Sequence, residues 1–400
     1  MGEKGVAGSR GPSMAWTVVF LAFAAEIIFL CLSTADRAHY VWLADAFAHG
    51  RLYVSAAALR QLTALDFAVA DGRYFWPLGP LPAILLLPFV RLFGPLSQLQ
   101  SLLQALVSVL VVMAAWRLAV RVSARPSEAP WFTLLFCAGS VMIGLLVVSG
   151  SYFLAQSLAT LFLLWAFAER AGRARPALIG VFLAAAALSR WMALLAAAFF
   201  ALDIIFARLK PLEKTRRLVW LLVPLAVAWA LMAAYNWARF GSWSETGYAL
   251  SVMGTGTLLD DRTRLGLFNL AYLPARLHDY FLLMPEWRRG SFYVGTWGLS
   301  AFLLMPGFLL SFRRPTADRQ LWSLALLSAG LQLLPLLVYY SSGAWQFGPR
   351  YLSDLLPALY YALLLSFRGR PLSSGIKGLI VTSAVLNLVL LFAFLRSMAG

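Results

Sequence analysis

Apolar runs long enough to cross a bilayer recur along the chain. A span takes ~20 apolar residues with few charges. Such runs occupy roughly 14–33, 98–116, 130–148, 152–168, 218–236, 297–312, 320–340, 351–367 and 377–395. The stretch 176–207 is apolar apart from Arg190 in its middle and Asp203 near its end. At ~1.5 Å per residue it is too long for one crossing, which predicts two short helices with Ser189-Arg190-Trp191 at the turn. Residues 77–95, PLGPLPAILLLPFVRLFGP, are apolar but hold five prolines and are short for a span. They predict an interfacial or re-entrant helix. The first run lacks a small-residue cleavage site and reads as an anchor, not a removed leader.

Composition agrees with the pattern. Of 400 residues, 61% are hydrophobic and 12% charged, against about 45–50% apolar and about 25% charged in soluble domains. That excludes a soluble enzyme, a disordered protein and a disulfide-stapled secreted domain. Cys31 and Cys137 both sit in apolar runs, and His39, His49 and His278 are scattered, so no metal site is predicted.

The net charge of +16 would suggest nucleic acid in a soluble protein. Sorting the charges by side changes its meaning. With 77–95 not crossing, the inner segments are 1–13, 117–129, 169–175, 208–217, 313–319 and 367–377. They carry 19 basic and 5 acidic residues, whereas the outer segments carry 14 basic and 10 acidic. Cytoplasmic loops collect Lys and Arg, so the charge reports orientation and no nucleic-acid partner is predicted. If 77–95 did cross, Arg117, Arg121 and Arg125 would fall on the wrong side. The predicted fold is an all-α polytopic bundle of about eleven spans, N-terminus in and C-terminus out. It forms a single transmembrane domain over 1–400, with interfacial helices in the first outer loop and no separate soluble domain.

Two outer segments, about 34–96 and 237–296, exceed what a connector needs. They hold nearly all the non-cytoplasmic acids: Asp36, Asp45, Asp66, Asp71, Glu245, Asp260, Asp261, Asp279 and Glu286. Asp36 follows the first span directly, at the membrane surface. It reads either as a general base toward an acceptor hydroxyl or amine or as an N-cap. Tyr40, Leu43, Ala44 and Phe47 follow at helical spacing, which predicts an amphipathic interfacial helix. His39, Tyr40 and Tyr74, the last within an aromatic cluster with Phe75 and Trp76, are candidate groove residues or interface anchors. Arg190 reads as a phosphate ligand or as a side chain snorkelling to head groups. Beyond the span end at 236 come Asn236, Arg239, Glu245 and Tyr248. Gln346, a candidate groove residue, opens a late span with Arg350 and Asp354; spaced i,i+4, these two either pair on one helix face or leave Arg350 to hold a phosphate or sugar at the membrane surface. Glu26 lies mid-span.

In this order, the chain resembles the C-type superfamily of integral membrane glycosyltransferases, near bacterial protein O-mannosyltransferases and lipid A aminoarabinose transferases. The resemblance rests on the plan of spans and on four stretches. These are DRAHY after the first span, GRYFWPLGPLPAILLLPF, YNWARFGSWSETGY and QFGPRYLSDLLPAL. It implies a sugar carried on a polyprenyl phosphate and transferred on the non-cytoplasmic face, usually with inversion. The implied base is Asp36, with Arg190 and Arg350 as candidates to stabilise the departing phosphate. Many relatives have Asp-Glu where this chain has Asp36-Arg37, so no metal or other cofactor is assigned. The implied partners are membrane lipid, the lipid-linked sugar and an acceptor protein, lipid or glycan, in the inner membrane of a bacterium. No nucleotide-binding loop is present, as a lipid-linked donor requires. The rival reading is a transporter or lipid-linked glycan flippase, which would place its charges at the bilayer midplane.

Overall fold

The computed structural model describes residues 14–34, 37–252, 257–288 and 290–399. Among these described residues, six helices are long and apolar enough to cross a membrane: Met14–Ser33, Ser97–Val122, Ser151–Arg170, Pro211–Phe240, Arg319–Leu337 and Ser374–Met398. Four shorter apolar helical stretches, Leu81–Phe93, Pro176–Ser189, Trp191–Phe206 and Leu356–Ser366, complete the main bundle. The turn at Arg190 falls where the sequence predicts it, with extended backbone between Pro176–Ser189 and the 3-10 turn from Trp191. Two short antiparallel hairpins, Ala68–Ala70 with Arg73–Phe75 and Glu286–Arg288 with Ser291–Tyr293, are the strands among the described residues.

Helix composition sets position in the bundle. Ser151–Arg170 is buried almost throughout, and its small and polar residues face neighbours on several sides. Gln104 satisfies part of that polarity, donating to the carbonyl of Leu145 at 3.0 Å and to Ser157 Oγ at 3.2 Å. Pro211–Phe240 instead leaves Val219, Trp220, Leu222, Val223, Val227, Trp229 and Leu231 exposed. Such a face suits hydrocarbon rather than water. Close approaches between helices fall on glycines. A Cβ at Gly180 would lie 2.4 Å from the carbonyl oxygen of Leu221, and one at Gly79 would lie 2.0 Å from that of Leu188.

Two of the expected spans are broken. The run 130–148 is helical over Ala129–Cys137 and Met142–Val147 but opens between them. The run 297–312 is a short helix, Ala301–Leu304, followed by a 3-10 segment from Pro306. Pro306 lacks the N–H that a continuous helix would need. Freed carbonyls in an apolar interior must be paired. Asn387 does this for both breaks, donating from Nδ2 to the carbonyls of Ala138 and Leu304 at 2.8 Å each.

The helix expected after the first span is His39–Ala48, but it is not an amphipathic surface helix. His39, Tyr40, Val41, Trp42, Leu43, Ala44 and Ala46 are all buried. It lies against Leu81–Phe93, whose 13 residues span about 20 Å, and the Tyr40 ring meets Trp76 edge-on.

Polar contacts gather at two ends of the bundle. At one end Arg125 donates to the carbonyl of Gly369 at 2.9 Å, Lys377 sits 3.4 Å from Glu128, and Arg368 binds Asp318. Arg170 with Asp203 and Arg175 with Glu169 pair near the ends of helices Ser151–Arg170 and Ala197–Phe206. The other end holds Arg37, Asp66, Arg190, Arg239, Arg276, Arg350 and Asp354.

Candidate functional site

The end that carries Arg37 contains a cavity of about 470 Å³. Its floor and walls come from separate parts of the chain: Arg37 and His39, Leu65 and Asp66, Gly150 to Phe153, Tyr248 and Ser251, and the segment from Tyr339 to Tyr351. The sequence places most of these in loops between spans, and the fold brings them to one depth.

Asp36 itself lies outside the described residues, but both flanks are fixed. Thr34 donates to the carbonyl of Val147 at 3.0 Å, and Arg37 lines the cavity 4.0 Å from Asp66. The neighbouring helix does not need Asp36 as a cap. Its first N–H groups are met from other helices, His39 N donating to Ser151 Oγ at 3.0 Å and Tyr40 N to Gln100 Oε1 at 3.2 Å. Ala38 occupies the N-cap position without a side-chain bond. Ser151 completes the arrangement by donating to the carbonyl of Arg37 at 2.8 Å.

His39 is a wall residue. Its ring stacks on Trp76 at 4.0 Å and its Nδ1 lies 3.1 Å from Ser151 Oγ. Burial, with the nearby Arg37 charge, pushes its pKa down to about 3. The imidazole is therefore neutral at working pH. Tyr40 is fully buried beside it and Tyr74 is half-buried on the first hairpin; neither lines the cavity.

Arg350 is the buried cation of the cavity, where Arg37 is the more exposed one. Arg350 is 7% exposed, and its guanidinium carbon sits 4.8 Å from the Tyr152 ring, 5.3 Å from Phe153 and 5.6 Å from Tyr351. Its Nε has no hydrogen-bond partner among the described residues. The expected pairing with Asp354 does not occur. Residues Arg350–Asp354 form a 3-10 segment rather than α-helix, which moves the i,i+4 faces apart. Asp354 instead takes Arg190, whose Nε lies 2.8 and 2.7 Å from the two carboxylate oxygens. Arg190 also stacks over Tyr351 at 4.7 Å, so it stands behind the cavity wall rather than in the lining.

The second outer segment is brought to the same end. Arg239 donates to the carbonyl of Trp76 at 2.8 Å and to Asn236 Oδ1 at 2.7 Å, while Asn236 Nδ2 donates to the carbonyl of Trp243 at 3.3 Å. Glu245 accepts from Gly247 N at 2.6 Å and so shapes the turn that presents Tyr248. Burial raises the Tyr248 phenol above its ordinary value, which keeps it a neutral hydroxyl. Tyr248 and Pro77 also line a second cavity of about 220 Å³, with Trp191, Trp229, Met232, Asn236 and Trp243. Gln346 is buried outside both cavities and donates to the carbonyls of Trp297 at 2.9 Å and Ser342 at 3.1 Å.

The sequence reading did not single out Arg37, Asp66, Ser151, Tyr152, Tyr339, Tyr340 or Trp345 as site residues. Asp66 was legible as an acid in an outer loop; the others carry no signal separable from ordinary interface residues.

No family model and no curated protein matches the chain by sequence. Solved structures do. ArnT from Cupriavidus metallidurans, bound to undecaprenyl phosphate, superposes with TM-score 0.53 at 15% identity, covering 96% of this chain and 77% of ArnT. The archaeal oligosaccharyltransferase AglB from Archaeoglobus fulgidus, in complex with an inhibitory peptide and a dolichol-phosphate, gives TM-score 0.52 at 14% identity. That match covers 96% of this chain and 56% of AglB. At these identities the likeness is one of fold: this chain shares the fold of these two solved structures.

Proposed function

We propose that the chain is a glycosyltransferase that moves a sugar from a polyprenyl-phosphate donor to an acceptor on the non-cytoplasmic face of the membrane. The observation that carries this reading is Arg350. A buried guanidinium without a carboxylate partner is costly, and Arg350, which has none among the described residues, faces a cavity that Arg37 also lines. An anionic ligand group relieves that cost, and a guanidinium fork fits phosphate. The two fold neighbours were solved with undecaprenyl phosphate and with a dolichol-phosphate bound.

In this proposal Asp36 removes the proton from the acceptor hydroxyl or amine. The acceptor atom bonds to the anomeric carbon, the carbon–oxygen bond to phosphate breaks, and the electron pair leaves on the lipid phosphate. Arg350 is the direct ligand of that phosphate, stabilising charge as it develops. Arg190, engaged by Asp354, supports it from behind Tyr351. The second cavity, with no charged lining residue, adjoins the first at Tyr248 and Pro77.

The same reading places the chain in the bacterial inner membrane with eleven crossings, N-terminus inside and C-terminus outside. The two-ended grouping of polar contacts supports it. Loops assigned inside touch one another, as in Arg125 with Gly369 and Arg368 with Asp318. Segments assigned outside do likewise, as in Arg239 with Trp76 and Arg190 with Asp354.

The test is transfer from a polyprenyl-phosphate sugar by the purified protein. Asp36→Asn should lower turnover about 10²–10⁴-fold, and Arg350→Ala about 10²–10³-fold, with part recovered in Arg350→Lys. Undiminished transfer by Asp36→Asn removes it as the base. Counterflow in sealed vesicles without transfer makes the protein a transporter instead.

A further inference from the structure

Trp345 is held in a conformation that its side chain disfavours. Its φ is +50°, a left-handed geometry that non-glycine residues adopt rarely and at an energetic cost. The surrounding loop fixes it there. Gln346, fully buried, ties the carbonyls of Ser342 and Trp297 together. Gly343, at φ +92°, leaves no room for a Cβ, which would lie 2.6 Å from Gln346 Oε1. The result is an indole in the lining of the larger cavity that is nonetheless 58% exposed. No aromatic ring among the described residues stacks on it. Strain held by neighbours at a cavity mouth points to function, and an open indole face is a platform for the apolar face of a sugar ring.

The rest of the lining narrows the sugar. The acid in the described lining, Asp66, is matched by Arg37. His39 is neutral, its pKa held near 3 by burial and Arg37. Arg350 is taken by phosphate in the function proposed above, on which this inference rests. What remains is hydroxyl-bearing: Tyr248, Tyr339, Tyr340 and Tyr351 supply donors and acceptors without net charge. With Asp36 engaged by the acceptor proton in that same proposal, an ammonium group would meet Arg350 and no uncommitted carboxylate in the described lining. A uronic carboxylate would compete with phosphate for Arg350.

We infer that the cavity takes a neutral sugar on its lipid phosphate, with Trp345 as the stacking platform that recognises the ring. The experiment measures binding of four lipids to the full chain in nanodiscs: undecaprenyl phosphate bare, or bearing mannose, aminoarabinose or galacturonate. The mannosyl lipid is expected to bind most tightly of the four. Trp345→Ala should weaken the mannosyl lipid roughly fivefold while leaving the bare lipid phosphate within about twofold, and Trp345→Phe should retain most of the affinity. Arg350→Ala should weaken all four. Tighter binding of either charged sugar, or an equal effect of Trp345→Ala on bare and mannosyl lipids, overturns the inference while leaving the lipid-phosphate reading intact. Failure of the wild type to bind any of the four overturns both.

Discussion

His39 shows how a residue near the presumed chemistry can be a wall rather than a proton carrier. Its ring is pressed on Trp76, its Nδ1 sits beside Ser151, and its Nε2 is buried without a partner among the described residues. Its pKa falls from an ordinary 6.5 to about 3, through burial first and the Arg37 charge second. The unfolded chain therefore binds a proton that the folded chain refuses across that window. By linkage, stability from this group is complete above pH 6.5 and is lost as the pH falls toward 3. The full effect is on the order of a few kcal/mol. His39→Gln should flatten the fall of Tm between those pH values, measured by thermal unfolding in detergent. An unchanged slope would show that another group titrates. The Arg190–Asp354 pair was less legible than the histidine. Both residues were visible in the sequence as charges near span ends, but their contact joins positions 164 apart. Local spacing offered Arg350 as the nearer partner, and the 3-10 geometry of Arg350–Asp354 removed it.

Among the elements, the six long apolar helices were readable because a hydrocarbon environment demands long unbroken apolar runs. The same rule misled at 130–148 and 297–312, where the runs are apolar but the backbone opens. Hydropathy records whether side chains tolerate the interior, not whether backbone groups find partners there. The partner is Asn387, 249 residues from Ala138 and 83 from Leu304, within a helix that reads as an ordinary span. Similarly, the helical spacing of Tyr40, Leu43, Ala44 and Phe47 located His39–Ala48 but not its enclosure, since Leu81–Phe93 and Ser97–Val122 cover it from elsewhere. Asn387→Ala removes both N–H donors without adding bulk at this fully buried position. It should destabilise the protein by about 1–3 kcal/mol per unsatisfied carbonyl, seen as a lowered Tm. A variant as stable as the wild type would mean that the two breaks are satisfied in another way.

At the scale of the whole molecule, the charge asymmetry and the contact map make the same division independently. The first follows from where Lys and Arg sit along the sequence, the second from which loops touch. The helix Leu81–Phe93 decides whether they stay in agreement, because a crossing there would reverse the side of Ser127 relative to Asp71. Both positions are exposed, as is Arg173, and the native Cys31 and Cys137 are buried, so single introduced cysteines report cleanly. In spheroplasts, Asp71→Cys should react with a membrane-impermeant maleimide added outside. Ser127→Cys and Arg173→Cys should react only after permeabilisation. Labelling of Ser127→Cys from outside would require Leu81–Phe93 to cross. The cavity with Arg37 and Arg350 would then no longer share a side with the loops assigned to it. Because that cavity draws on residues before and after Leu81–Phe93 together, its single-sidedness and the eleven-crossing arrangement stand or fall on this one measurement.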